Sequence, residues 1–301
     1  MTQKPALSLA AVPGRRKATL ELAQEIERRG FAGIYCPSFG DGMGLCLALA
    51  LTTRKIRFGT SIANIYMRHP FDYAQAASTI HELSGGRFDF GVGVSHGPTY
   101  AQMGLQVGKP LQDMRQFVER LRGAPRAGEL PRVVLATLRR RMVQLAGEIA
   151  EGVVWANAAR SHVQASLGYL PAEKRHDPSF FVGDMIPTCI SDDKAAAAAV
   201  MRRTLTGYAM LPNYCNYWIE AGYEEEMHAA REAAQARDQE KVASVLSDRW
   251  LADVTLYGSA AEVREGLEGW YAAGVKTPIL VPSSTQGGQM KAFEELFAAF
   301  E

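Results

Sequence analysis

Short apolar runs alternate with amphipathic stretches along the chain, the signature of strands separated by helices. Ala6–Val12 predicts a first strand, followed by a helix over Lys17–Arg29 with Leu20, Ala23 and Ile26 at helical spacing. Gly30 ends that helix, and Phe31–Cys36 predicts the second strand. Leu45–Thr53 reads as a short helix and Ile56–Ile62 as the third strand. A helix over Phe71–Leu83 stops at Ser84-Gly85-Gly86, a C-cap signal, before a fourth strand, Phe88–Val94. The rhythm repeats with a helix around Leu111–Leu121, a Gly/Pro/Arg-rich linker Arg122–Pro131 and a fifth strand, Arg132–Ala136. Arg140–Ile149 follows as a helix, Val153–Ala156 as the sixth strand and Phe180–Thr188 as the seventh. A long helical excursion, Asp192–Arg237, precedes the helix Ala260–Ala273 and an eighth strand, Thr277–Val281.

Eight strands with intervening helices suit an α/β fold of the (β/α)8 barrel type, roughly 250 residues plus insertions. A doubly wound open sheet has the same alternation, because periodicity does not reveal closure. No composition break marks a boundary, so residues 1–301 are expected to form a single domain.

Composition narrows the function. Lys plus Arg (33) nearly cancels Asp plus Glu (32), which leaves no electrostatic footprint for nucleic acid or an anionic membrane. The four cysteines, Cys36, Cys46, Cys189 and Cys215, contain no CxxC pair, so neither a zinc site nor a disulfide framework is indicated. The Ala195–Ala199 run is far shorter than the roughly 20 residues a membrane span needs. Met1-Thr2-Gln3-Lys4-Pro5 runs straight into a strand without a signal-peptide core, so a cytoplasmic protein is expected.

Candidate chemistry gathers at strand ends, where ligands bind in α/β folds. The third strand ends at Ser61-Ile62-Ala63-Asn64, whose Ser and Asn also suit an ordinary exit that satisfies loose backbone groups. The fourth runs into Gly91-Val92-Gly93-Val94-Ser95-His96, small residues that let a flat ligand or a phosphate approach the backbone. His96 is the one histidine placed at a strand's C-terminal end, and imidazole suits proton transfer; a structural loop residue is the competing role. After the fifth strand, Arg139-Arg140-Arg141 puts positive charge at a positive helix end, which an anion would offset; a solvated basic turn is the alternative. Asn157-Ala158-Ala159-Arg160 offers a second donor set on the next loop. No lysine stands at a predicted strand end for Schiff-base chemistry, and no HxH, HExxH or carboxylate cluster indicates a metal. Gly91-Val92-Gly93 lacks the full GxGxxG fingerprint, so a Rossmann site has little support.

The segment Gly59–Val94 resembles the luciferase-like monooxygenase superfamily, especially at Arg68-His69-Pro70, Ala74–Thr79, Glu82-Leu83-Ser84-Gly85-Gly86-Arg87-Phe88 and Gly91-Val92-Gly93. Within it, the chain is most similar to the branch containing methylenetetrahydromethanopterin reductase and dehydrogenases that use the deazaflavin coenzyme F420. Val94-Ser95-His96-Gly97-Pro98, Lys109-Pro110-Leu111, Met114-Arg115, Leu211-Pro212-Asn213-Tyr214 and Gly274-Val275 resemble an actinobacterial-type subgroup of deazaflavin-dependent oxidoreductases.

The resemblance implies a (β/α)8 TIM barrel with an insertion after strand seven (about 192–237) and a homodimer. It implies a deazaflavin, with FMN as the alternative, across the strand C-termini, and a non-proline cis peptide at Ser61–Ile62 behind the ring. By correspondence, Val94, Ser95 and His96 lie along the ring edge, and Ala136, Thr137, Arg139, Asn157 and Arg160 fall in the side-chain and phosphate region. Phe39, Asn64, Tyr66 and the Leu211–Trp218 segment, including Tyr214, would wall a small-molecule substrate. Relatives often carry an Asp-His pair where this chain has Ser38-Phe39, which leaves His96 as the expected catalytic group. They also tend to have Gly-Pro before a basic residue where this chain has Arg139-Arg140-Arg141, which shifts phosphate binding towards guanidinium groups. The expected function is hydride transfer between a reduced deazaflavin and a small organic substrate. The alternatives are an FMN-dependent monooxygenase and a non-catalytic barrel acting as a binding protein.

Overall fold

A computed structural model describes residues 3–38 and 40–301 and contains ten strands: β1 (Ala6–Ser8), β2 (Gly33–Cys36), β3 (Arg57–Thr60), β4 (Ala63–Asn64), β5 (Phe88–Gly93), β6 (Arg132–Ala136), β7 (Gly152–Ala156), β8 (Phe181–Ile190), β9 (Leu256–Gly258) and β10 (Thr277–Ser283). The fold is an α/β barrel of the (β/α)8 type, with the short β4 and β9 as additions, and not the open sheet. By internal contacts the chain divides into two compact units, 1–154 with 169–183 and 155–168 with 184–301. No helix among the described residues is long and apolar enough to cross a membrane.

In the first unit every strand pairing is parallel. Cys36 lies opposite Thr60, Gly59 opposite Asp89, Val92 opposite Leu135 and Ala136 opposite Val154, so the strand ends share one edge. β1, β2 and β5 are buried at every position, the reason they read as continuous apolar runs rather than alternating ones. The surrounding helices are amphipathic: Arg16–Arg28 buries Thr19, Leu22, Ala23 and Ile26, and Pro110–Arg122 buries Met114, Phe117, Val118 and Leu121.

The Ser84-Gly85-Gly86-Arg87 turn has a structural reason. Both glycines take positive φ (62° and 79°), which turns the chain sharply back towards β5. Arg87 then donates to Ser84 O, Thr53 Oγ1, Ile56 O, Ala50 O and Thr53 O, tying the end of helix Gly42–Thr52 to the approach to β3. At the opposite, N-terminal end of the strands, buried Asp89 accepts from Arg57 at 2.7 Å, from Arg132 at 2.9 and 3.0 Å and from Tyr35 at 3.1 Å. In this architecture the N-terminal end serves stability and the C-terminal end carries ligands.

In the second unit β8 pairs in parallel with β9, placing Thr188 opposite Leu256 and Ile190 opposite Gly258. Between them run helices Lys194–Ala209, Pro212–Glu220, Glu224–Gln235, Gln239–Val245 and Asp248–Val254, so the helical insertion extends past Arg237. Its core is aromatic: the Trp218 ring is 5.4 Å from Tyr214 and 4.8 Å, edge-on, from Trp250. Asp253 fixes the loop after β7 by accepting from Ser161 N (2.9 Å) and Ser161 Oγ (2.6 Å) and from the Tyr223 hydroxyl (2.9 Å).

One expected strand needs correction. Ile56–Ile62 is not continuous: β3 stops at Thr60 and the two-residue β4 resumes pairing on β5, with Ala63 opposite Val92 and Asn64 opposite Gly93. The first strand is also shorter than Ala6–Val12, ending at Ser8.

Candidate active site

The break between β3 and β4 shapes the first unit's strand-end edge. The Ser61–Ile62 peptide is cis, as the resemblance implies. Ser61 N donates to Cys36 O (2.7 Å), Thr60 Oγ1 to Gly91 O (2.7 Å) and Ile65 N to Gly93 O (3.0 Å), so hydrogen bonds to β2 and β5 hold both sides of the break. Ile62, Gly93 and Ala136 then converge. A Cβ built on Gly93 would lie 2.8 Å from Ile62 Cγ1 and 2.9 Å from Ala136 Cβ, so only glycine fits unless its neighbours move. Ile62 and Ala136 are half-buried, which makes the convergence a partly open apolar platform.

Two hydroxyls adjoin these residues in the chain, Ser61 beside Ile62 and Thr137 beside Ala136. Ser61 Oγ and Thr137 Oγ1 are buried and have no hydrogen-bond partner among the described residues. Buried polar groups are normally paired, so unpaired ones at a strand end point to a partner supplied by a ligand. Next in the chain, Arg139 caps the helix Arg140–Ile149, whose first turn carries no acidic residue. Arg140 is drawn aside, its guanidinium 5.6 Å from the Tyr169 ring centre. Backbone N–H groups and cationic side chains at such a helix start suit an anion.

Val94, Ser95 and His96 leave β5 as a half-buried segment, with Ser95 at φ 63°. The Tyr100 hydroxyl donates to Val94 O, and His96 precedes the short helix Gly97–Met103, its carbonyl accepting from Thr99 N at 3.0 Å. Burial holds the His96 pKa below the ordinary histidine value, favouring the neutral ring near pH 7. A neutral imidazole can accept a proton at one nitrogen and donate a hydrogen bond from the other.

Other expected site residues are already engaged. Asn64 is a turn-maker: its Oδ1 accepts from Tyr66 N (3.0 Å) and its carbonyl from the Tyr73 hydroxyl (2.8 Å). Tyr66 donates its hydroxyl to Asp113 at 2.6 Å, and its ring meets Tyr100 edge-on. Phe39 lies outside the described residues.

Asn157, Arg160 and Tyr214 belong to the second unit. Asn157 is buried at φ 58°, and its carbonyl accepts from Trp218 Nε1 at 3.2 Å. Arg160 lies against helix Ala260–Ala272, where a Cβ at Gly269 would come within 2.9 Å of its Nη1. Tyr214 is only 5% exposed and packs edge-on against Tyr208. Asp184 on β8 is fully buried, a residue that sequence reasoning passed over. Its signal was one carboxylate inside the apolar run Phe181–Ile190.

The family described as luciferase-like monooxygenase matches residues 2–277. A Mycobacterium tuberculosis protein provisionally named a coenzyme F420-dependent oxidoreductase is 25% identical over 286 residues, spanning 78% of this chain and 81% of that protein. The coenzyme F420-dependent tetrahydromethanopterin reductase structure from Methanopyrus kandleri superposes with a TM-score of 0.73 at 18% identity, covering 98% of this chain and 97% of its own. The FMN-bound oxygenating constituent of 3,6-diketocamphane monooxygenase from Pseudomonas putida gives 0.65 at 13% identity, covering 100% and 96%.

Proposed function

The chain belongs to the luciferase-like monooxygenase family, and on that premise we propose that it is an oxidoreductase moving a hydride between a reduced deazaflavin, coenzyme F420, and a small organic substrate. The observation that carries this reading is the platform of Ile62, Gly93 and Ala136, with the unpaired Ser61 and Thr137 hydroxyls on the residues next to it in the chain. A flat ring fits the platform, the hydroxyls offer hydrogen bonds to its polar atoms, and the Arg139-capped helix start suits an anionic tail. The names of the Mycobacterium tuberculosis relative and the Methanopyrus kandleri enzyme support F420 as the ring.

Bound, the deazaflavin supplies the two-electron hydride chemistry. The chain's own work is positional: Ser61 and Thr137 set the ring's register, Ile62 supports its face, and Val94 and Ser95 line its edge. His96 donates or orients the proton that accompanies the hydride. The homodimer belongs to the same reading; helix Gly42–Thr52 has no charged residue, and Leu51 on its outer face is 66% exposed.

FMN-dependent monooxygenation is the second reading, favoured by the FMN-bound Pseudomonas putida neighbour. Reconstitution with each cofactor decides between them. Uptake with absorbance near about 420 nm supports the deazaflavin, and near about 450 nm FMN. If well-folded protein takes up neither at micromolar concentration, both enzyme readings fail and a non-catalytic binding barrel replaces them.

The anion end has its own test. Arg139→Ala is expected to weaken cofactor binding at least about ten-fold, since charge-assisted hydrogen bonds contribute about 1.5–3 kcal/mol. Unchanged affinity in a titration would make Arg139 a solvated turn residue.

A further inference from the structure

His96 lies on a turn that one neighbour, Tyr100, holds from both sides. The Tyr100 hydroxyl donates to Val94 O, ahead of His96, and Tyr100 N donates to the His96 carbonyl at 3.3 Å, beside Thr99 N at 3.0 Å. Between those two carbonyls Ser95 takes φ 63°. A residue with a Cβ enters that left-handed region at a cost and keeps it only where the bonds around it over-determine the backbone. Tyr100 supplies such bonds on either side of Ser95.

Tyr100 is itself held. Its ring meets the Tyr66 ring edge-on, with 5.6 Å between centres. Tyr66 is fixed at two points: its N–H donates to Asn64 Oδ1 at 3.0 Å, and its hydroxyl donates to Asp113 Oδ2 at 2.6 Å. Asn64 lies on β4 opposite Gly93, the last residue of β5, so this support begins beside the exit that carries His96. Asp113 Oδ2 also accepts from Gly108 N at 2.9 Å, and Leu105 N donates to Tyr100 O at 3.0 Å. One carboxylate oxygen of helix Pro110–Arg122 therefore ties the far end of segment 97–109 to Tyr66.

We propose that Tyr100 is a positioning residue for His96: its hydroxyl keeps the strained turn 94–97 closed, and the Tyr66–Asp113 pair keeps Tyr100 in place. The inference rests on the reading of His96 as the group that donates or orients the proton, and gives Tyr100 no contact with ring or substrate. Without the bond to Val94 O, Ser95 relaxes out of the left-handed region and the imidazole that follows it turns towards water.

Burial lowers the His96 pKa, and no charged group is among the causes. Burial and the Asp113 carboxylate raise the Tyr66 and Tyr100 pKa values, so both phenols keep their protons while histidine titrates. The His96 titration therefore reports how well the turn keeps its ring from water.

The test is an NMR pH titration of the histidine ring protons in the full chain without cofactor, the His96 signal being assigned by its absence in His96→Ala. Tyr100→Phe keeps the ring against Tyr66 and removes only the hydroxyl. In it the His96 pKa should move up towards the ordinary 6.5, and amide hydrogen exchange at residues 95–99 should speed up about five-fold, the usual weight of one hydrogen bond. Asp113→Ala should move both in the same direction. Asp113→Asn keeps an oxygen for the Tyr66 hydroxyl and Gly108 N and should stay close to the wild type. An unchanged His96 pKa or unchanged exchange in Tyr100→Phe overturns the proposal. If Tyr100→Phe does not fold, the Asp113 pair decides, and no difference between its alanine and asparagine variants overturns the proposal. Activity is a separate arm that rests on the function proposed above. At a pH where His96 is protonated in both proteins, Tyr100→Phe should lower kcat about ten-fold, because a displaced donor no longer meets the reacting atom, while cofactor affinity changes only a few-fold. A shifted His96 titration with kcat unchanged removes His96 from the reaction and leaves the clamp intact.

Discussion

Asp89→Ala is expected to cost about 3–5 kcal/mol of stability, the range for removing one partner of a buried charge cluster. Asp89 is 1% exposed and accepts from Arg57, Arg132 and Tyr35. Truncation leaves the guanidinium groups and a phenol with unmet donors, and a cavity beside them. Arg57 is 47% exposed and regains water readily, so most of the penalty falls on Arg132 and Tyr35. Arg132 also stacks over Phe181 and donates to Ser179 O, so it cannot simply swing away. Asp89→Asn keeps the shape but loses the charge and one acceptor, and should fall between the wild type and alanine. Urea denaturation of the three proteins measures this. A cost below about 1 kcal/mol for alanine would reduce the cluster to a solvated ion pair.

His96→Ala should lower kcat by about 10²–10⁴-fold, the usual contribution of a positioned acid–base group, while cofactor affinity changes only a few-fold. The small residues around it, Gly93, Val94 and Ser95, leave space for a ring while the imidazole remains at the edge. Because burial depresses the His96 pKa, the neutral form dominates at pH 7. With the protonated form as donor, wild-type kcat should rise as pH drops through a value below the ordinary 6.5. The alanine variant should lack that rise. Full activity in the variant would make His96 a loop residue, and loss of cofactor would make it a binding group. Any substrate that the reconstituted protein turns over serves for the measurement.

Much of this architecture is legible from periodicity. The strand Arg132–Ala136 and the helix Arg140–Ile149 have the boundaries their apolar spacing predicts. Burial of one helix face, or of both strand faces, leaves its imprint directly on residue type. The short pieces were less legible. β4 and β9 have two and three residues, too few to show a period. Helix Gln289–Ala299 does carry a readable stripe, Ala292, Phe293, Leu296 and Phe297, which the strand-counting pattern passed over.

The candidate site divides along the same line. Sequence alone determined the order of strands and helices, and hence that Ser61, Ile62, Val94, Ser95, His96, Ala136 and Thr137 all lie at or just beyond strand ends on one side of a parallel sheet. Parallel pairing makes every such exit face the same way, so alternation in the chain is enough. Tertiary structure alone decided which polar groups are already satisfied: Asn64 in its own turn, Tyr66 on Asp113, Arg160 against Gly269, and Ser61, Thr137 and Asp184 with atoms left unpaired. A residue's type fixes what it can donate or accept, but its partner is brought from tens of residues away by the packing of the whole chain. No local pattern along the sequence carries that information.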